Sequence, residues 1–171
     1  MRTLERLQEM NIDDMQQPTL DFDNFQVIMP CRGECFLYEH EIIFYKDRRG
    51  KEPALDYIKE LARHTDKDSR IKLRKVQEYI NVLRAYGIQA GEPYLKHLDG
   101  EIWELRPIRD RILFAAWTGN EFIILHHFVK KTRKTPQREI EQAKRELEDF
   151  KERDRLEKEA QVEESRSKKN D

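Results

Sequence analysis

Apolar residues along the chain change their spacing twice, and those changes divide it into elements. Residues 38–46, YEHEIIFYK, are dense in aromatic and β-branched side chains and predict a strand, which DRRGK ends at Gly50. In EPALDYIKELARH the spacing becomes helical: Leu55, Ile58, Leu61 and Ala62 share a face, and Pro53 stands where a first helical turn tolerates it. HTDKDS follows, with Asp66 or Asp68 as N-cap. Ile71, Val76, Ile80 and Leu83 then continue the period to Gly87, a C′ glycine. These two helices predict a hairpin. Beyond Gly91 the period falls to two. EPYLKHL, EIWELRPI, RILFAAW and EFIILHHFV are separated by Asp99-Gly100, Arg109-Asp110 and Thr118-Gly119-Asn120, the punctuation of an antiparallel meander. Within it, Trp103 and Leu105 turn one way and Glu104 and Arg106 the other. Thr135-Pro136 predicts an N-cap and first helical residue, followed by a narrow stripe of Ile140, Ala143, Leu147 and Phe150.

The expected fold is therefore α+β over residues 38–150: a mostly antiparallel twisted sheet, a helical hairpin on its N-terminal side and a C-terminal helix. Residues 1–37 lack a sustained period and include the acidic, Pro-containing NIDDMQQPTLDFDN, so they are expected to form a poorly ordered extension. Residues 151–171 are rich in Glu, Lys and Arg without apolar partners, which predicts either a charged tail or a helix extension.

Composition changes this picture in one respect. Charged residues make up 39% of the 171 and apolar ones 37%, so the core must occupy part of the chain only. The net charge of −1 hides a division: residues 1–40 carry −5, residues 41–135 carry +6 and residues 136–171 carry −2. A basic middle with acidic flanks directs attention to polyanions. Cys31 and Cys35 are the only cysteines and fall short of a zinc set, so reduced thiols are expected. No apolar run of membrane length and no secretory pattern stands in the sequence, which leads to the expectation of a cytoplasmic protein without a membrane partner.

The cations Lys96, Arg106, Arg109, Arg111, Lys130, Lys131, Arg133 and Lys134 lie at or near strand ends. Singly, each reads as solvated surface, and Glu104 is available to pair with a neighbouring arginine. Folded into a meander, residues 106, 111 and 126–131 converge and can hold phosphate, with arginine offering a planar fork of donors. His126 and His127 are adjacent on a strand and face opposite ways, so they do not chelate one metal, and at most one faces the groove. Tyr45, Tyr79, Tyr86 and Tyr94 are candidates for stacking on bases, although their spacing favours core packing for Tyr79 and Tyr94. Lys67, Arg70 and Arg74 form a second basic stripe that reads first as a solvated helix face.

FYKDRRGKEPALDYIKEL, YLKHLDGEIWELR, RILF and LHHFVKKTRKTPQREIEQAKREL, taken in order, resemble the RelE/ParE toxin superfamily, in its HigB-like, phage-derived branch, over about residues 41–152. Trp103-Glu104-Leu105-Arg106 and Phe128-Val129-Lys130-Lys131 followed by Lys134-Thr135-Pro136 carry the likeness most specifically. The resemblance implies a RelE-like fold and a ribosome-dependent endoribonuclease. Such an enzyme cuts mRNA in the 30S A site without metal or cofactor and is neutralised by an antitoxin bearing a helix-turn-helix domain. Arg106, Arg111, His126, Lys130, Lys131 and Lys134 match family positions; together with the strand-end cations this gives Arg106, Arg111, His126 and Lys130 as the expected catalytic residues, and Lys96, Arg109, Lys131, Arg133 and Lys134 as the expected RNA-binding ones. His127 stands where a small residue is usual, and the long N-terminus is foreign to the family pattern. Two alternatives share the scaffold: a non-enzymatic ParE-like inhibitor of DNA gyrase, and an inactive relative that retains antitoxin binding.

Overall fold

In the computed structural model, which describes residues 40–167, the chain runs β1 (Glu41–Phe44), α1 (Pro53–Arg63), α2 (Lys67–Tyr86), a short 3-10 turn (Gly87–Ala90), β2 (Leu95–Asp99), β3 (Ile102–Leu105), β4 (Asp110–Ala116), β5 (Glu121–Val129) and α3 (Gln137–Ser167). The five strands form one sheet in the order β1-β5-β4-β3-β2, antiparallel throughout except that β1 runs parallel to β5. This is the α+β architecture read from the sequence. Pro53 opens α1, the Asp66 carboxylate accepts the Ser69 amide at 2.9 Å as the cap of α2, and the Gly87 N–H donates to the Leu83 carbonyl. The expected N-terminal extension, residues 1–37, and both cysteines lie outside the described residues.

Strand alternation builds two cores. Ile102, Leu113, Ala115, Ile123 and Leu125 pack with Tyr45 against Ala143 and Leu147 of α3. The alternate residues Leu105, Ile112, Phe114, Phe122 and Ile124 are equally buried and turn to the other face, which α1 and α2 cover with Ile58, Val76, Ile80 and Leu83. The C-terminal helix is longer than its apolar stripe. Its 31 residues span about 46 Å, but the fully buried positions end with Leu147, Phe150 packs half-buried against the core, and residues 155–166 are exposed, with pairs such as Lys158–Asp154 at 2.7 Å. Of the two possibilities for residues beyond 151, the helix extension is the one observed as far as Ser167. Burying Ile140 and Leu147 stabilises the docked half by about 3–6 kcal/mol.

Two local differences from the sequence reading matter for the site. First, α3 begins at Gln137 rather than Pro136, and the Thr135 hydroxyl donates to Glu104. Second, Asp110 belongs to β4 and is buried, so the turn between β3 and β4 is Pro107-Ile108-Arg109. A β-bulge between β4 and β5 also sets the sidedness of the two histidines. Ile112 pairs with His127 and Phe114 with Ile124, so both Leu125 and His126 stand opposite Leu113. The extra residue shifts the alternation and sends His126 towards α3 and His127 towards α1.

Candidate functional site

A buried carboxylate organises the basic end of the sheet. Glu104 on β3 is completely covered, and its Oε1 lies 3.3 Å from Arg111 Nε, 3.8 Å from Arg106 Nε and 3.9 Å from Lys130 Nζ. Its Oε2 accepts a short hydrogen bond from the Thr135 hydroxyl. Register explains the convergence: Lys96 is the cross-strand partner of Glu104 on β2, Arg106 and Arg111 flank the paired residues Leu105 and Ile112 at the β3–β4 turn, and Lys130 follows the end of β5. Three of the expected catalytic residues, Arg106, Arg111 and Lys130, thus surround one anion. The contacts to Oε1 are ion contacts rather than hydrogen bonds, and Arg111 Nε likewise lacks a hydrogen-bond partner.

Arg111 is the most firmly placed of the three. Its Nη1 donates to the carbonyls of Asp110 at 2.7 Å and Ile108 at 3.1 Å, which anchors the guanidinium to the β3–β4 turn. Burial lowers its pKa, opposed by the carboxylate of Glu104. Lys130 is also held below its ordinary value: burial is the main cause, Glu104 opposes it, and the nearby Arg111, Arg106 and Lys96 add to it. An ammonium in such a setting gives up its proton more readily than a solvated lysine. Arg106 is looser, with a side chain 29% exposed and a second contact, at 3.6 Å, to the exposed Glu92. Thr135→Val is expected to cost about 1.5–3 kcal/mol of stability, since it removes a hydrogen bond to a buried charge. The shift of the urea unfolding midpoint measures this, and an unchanged midpoint would show that the hydroxyl does not hold Glu104.

His126 does not join this cluster. It is buried beneath α3, with Nδ1 2.7 Å from Glu146 and Nε2 3.4 Å from Glu139. Expected as a catalytic residue, His126 is directed at two carboxylates of α3 rather than at Glu104, and its imidazole links β5 to α3. Lys96, Arg109, Lys131, Arg133 and Lys134 are all exposed. Lys96 is near enough to act electrostatically on Lys130, and the Arg109 carbonyl accepts the Lys130 amide at 2.9 Å. Lys131, Arg133 and Lys134 lie on the segment between β5 and α3, where Thr132 donates to the Lys134 carbonyl at 2.6 Å. Among the tyrosines, Tyr79 and Tyr94 meet edge to face at 5.2 Å and Tyr45 is buried, which leaves Tyr86 exposed at the end of α2. No group of three or more His, Cys, Asp or Glu among the described residues is arranged to hold a metal ion. Nor is any described helix long and apolar enough to cross a membrane.

Sequence reasoning overlooked a second cluster, on the opposite face. The Tyr57 ring stacks on His127 with centroids 3.5 Å apart and planes 7° from parallel, and its hydroxyl donates to buried Asp110 at 2.7 Å. Burial pushes the His127 pKa down from 6.5 to about 4, so the ring is neutral under neutral conditions. The unfolded chain takes up this proton near pH 6.5 and the folded chain only near pH 4. The contribution of His127 is thus complete above pH 6.5 and is lost as pH falls towards 4. Thermal unfolding between pH 4 and 7 is expected to show this slope, and His127→Phe, which keeps the stack, to flatten it. An identical slope in the variant would refute the assignment. The signal for Glu104 was present in the alternation of IWEL, which puts a carboxylate on a face that α3 then covers; nothing local announced Tyr57, 53 residues before Asp110.

Residues 59–148 match the profile of the family described as phage derived protein Gp49-like (DUF891), a span that includes Glu104, Arg106, Arg111, Lys130 and Thr135. A comparison with curated proteins finds no match. The match covers more than half of the chain, which therefore belongs to the Gp49-like family of phage-derived proteins, a family of RelE/HigB-like toxin type.

Proposed function

We propose that this protein is the toxin of a type II toxin–antitoxin module and acts as an endoribonuclease on ribosome-bound mRNA. The observation that carries the reading is the convergence of Arg106, Arg111 and Lys130 on one buried anion, Glu104, at a rim that continues into Lys131, Arg133 and Lys134. Cations gathered by an internal carboxylate are held in place before substrate arrives, the arrangement that stabilises developing charge most effectively. In-line cleavage requires removal of the proton from a ribose 2′-OH, stabilisation of charge on the pentavalent phosphorus, and protonation of the departing 5′-oxygen. Arg106 and Arg111 supply the charge stabilisation. Lys130, with its lowered pKa, is the group for proton transfer in place of His126, whose ring nitrogens face carboxylates of α3. The exposed cations Lys96, Arg109, Lys131, Arg133 and Lys134 track the RNA backbone. The partner that silences this activity is an antitoxin that covers the same basic rim.

The test is cleavage of a synthetic mRNA on programmed ribosomes by the purified protein. The expected products are a 2′,3′-cyclic phosphate and a 5′-hydroxyl, and a 2′-deoxy substitution at the cut nucleotide should abolish the reaction. Cleavage that survives that substitution would overturn attack by the 2′-OH. DNA breaks without RNA cuts would instead favour the gyrase-directed alternative.

A further inference from the structure

Ile108 occupies the tip of the β3–β4 turn with φ of 51°. This left-handed conformation crowds the Cβ of an L residue against the backbone and suits glycine or asparagine far better than a β-branched side chain. The side chain is 50% exposed, so core burial does not offset the strain. Four hydrogen bonds hold the turn in place. Tyr57 donates to the Asp110 carboxylate at 2.7 Å, Asp110 N–H to Pro107 O at 2.9 Å, Arg111 Nη1 to Ile108 O at 3.1 Å, and Lys130 N–H to Arg109 O at 2.9 Å. α1, β4 and the end of β5 thereby fix a strained backbone that displays an apolar group between Arg106, Arg109 and Arg111. The Arg111 contact to the Ile108 carbonyl places this side chain beside the cation cluster around Glu104.

We infer that Ile108 is an apolar ledge that receives a nucleobase of single-stranded RNA whose phosphate is held by Arg106, Arg111 and Lys130, an inference that rests on the RNA-cleaving reading above. Proteins that hold single strands combine cations for the backbone with apolar or aromatic surface for the base faces, and the two kinds of group must alternate closely. That alternation is present in Arg106-Pro107-Ile108-Arg109. One isolated side chain among guanidinium groups is too little apolar surface for the core of a stable protein interface, whereas one base fits it.

Binding of a short unstructured RNA oligonucleotide to the full chain, followed by fluorescence anisotropy at several salt concentrations, tests the ledge. Ile108→Gly is expected to leave the melting temperature unchanged or raised, because relief of the strained φ offsets the greater freedom of glycine in the unfolded chain. It should weaken binding about fivefold, at the low end for loss of one base-packing contact, and leave the salt dependence unaltered. Lys130→Ala should instead reduce the slope of log affinity against log salt by about one. Ile108→Asn, which also tolerates the left-handed region, checks that the result does not come from flexibility. If Ile108→Gly binds as tightly as the wild type while Lys130→Ala is weakened, the ledge is refuted and the RNA reading stands; the side chain would then face a protein partner. If the wild-type chain binds no RNA, the ledge falls, and cleavage on programmed ribosomes decides the RNA reading by itself.

Discussion

Arg106→Ala is expected to abolish growth inhibition in cells and to slow RNA cleavage about a hundredfold in vitro, while the unfolding midpoint stays near that of the wild type. Loss of one cation that stabilises charge in the transition state costs on the order of 3 kcal/mol. Stability is spared because the Arg106 side chain is 29% exposed and its contacts are long, 3.8 Å to Glu104 and 3.6 Å to solvent-exposed Glu92. The exposed pair with Glu92 contributes about 0–1 kcal/mol, and the 3.8 Å contact to Glu104 is too long for a hydrogen bond. Glu104 also keeps Arg111 and Lys130 after the change, so the cluster remains assembled. Single-turnover cleavage separates the chemical step from binding. A variant with full toxicity would remove Arg106 from the catalytic set, and one that fails to fold would show its role to be structural.

Glu104→Gln is expected to be the most destabilising single change in this region, by about 3 kcal/mol, the cost typical of breaking a buried ion cluster by removing one member. Glutamine preserves shape and can still accept the Thr135 hydroxyl bond, so the loss isolates the charge. Without the carboxylate, Arg111 and Lys130, with side chains 10% and 16% exposed, face each other with little water to screen them. Inorganic phosphate should then take the vacated role. It is expected to raise the melting temperature of the variant more than that of the wild type, since an anion that binds the folded state alone stabilises it by mass action. Equal phosphate effects on both proteins would contradict the account of Glu104 as the anion that gathers the site.

Much of this fold was legible because each element carries its own punctuation. Pro53, Asp66 and Gly87 mark helix ends through backbone chemistry that does not depend on tertiary context, and the turns after Asp99 and Thr118 fix the meander. The convergence of Arg106, Arg111 and Lys130 also followed from the pattern, since hairpin register brings strand ends together. The fate of the histidines did not follow. Strict alternation correctly separates His126 from His127, but only the bulge opposite Leu113 and the carboxylates Glu139 and Glu146 determine that His126 faces α3 as a buried tie. Thr135 misled for a related reason. Thr-Pro before an apolar stripe reads as a helix cap, yet its hydroxyl reaches Glu104, 31 residues earlier, because a buried charge competes more strongly for a donor than a helix start open to solvent. Tyr57 and its stack on His127 depend on how α1 lies across β5, which no local spacing records.

The most direct measurement is transcriptome-wide mapping of mRNA 5′ ends after induced expression, with the wild type beside Arg106→Ala. The expected result is a set of new 5′-hydroxyl ends, in frame and clustered at A-site codons, that appears within minutes for the wild type and is absent for the variant. No new ends in a culture whose growth the wild-type protein arrests would contradict the account.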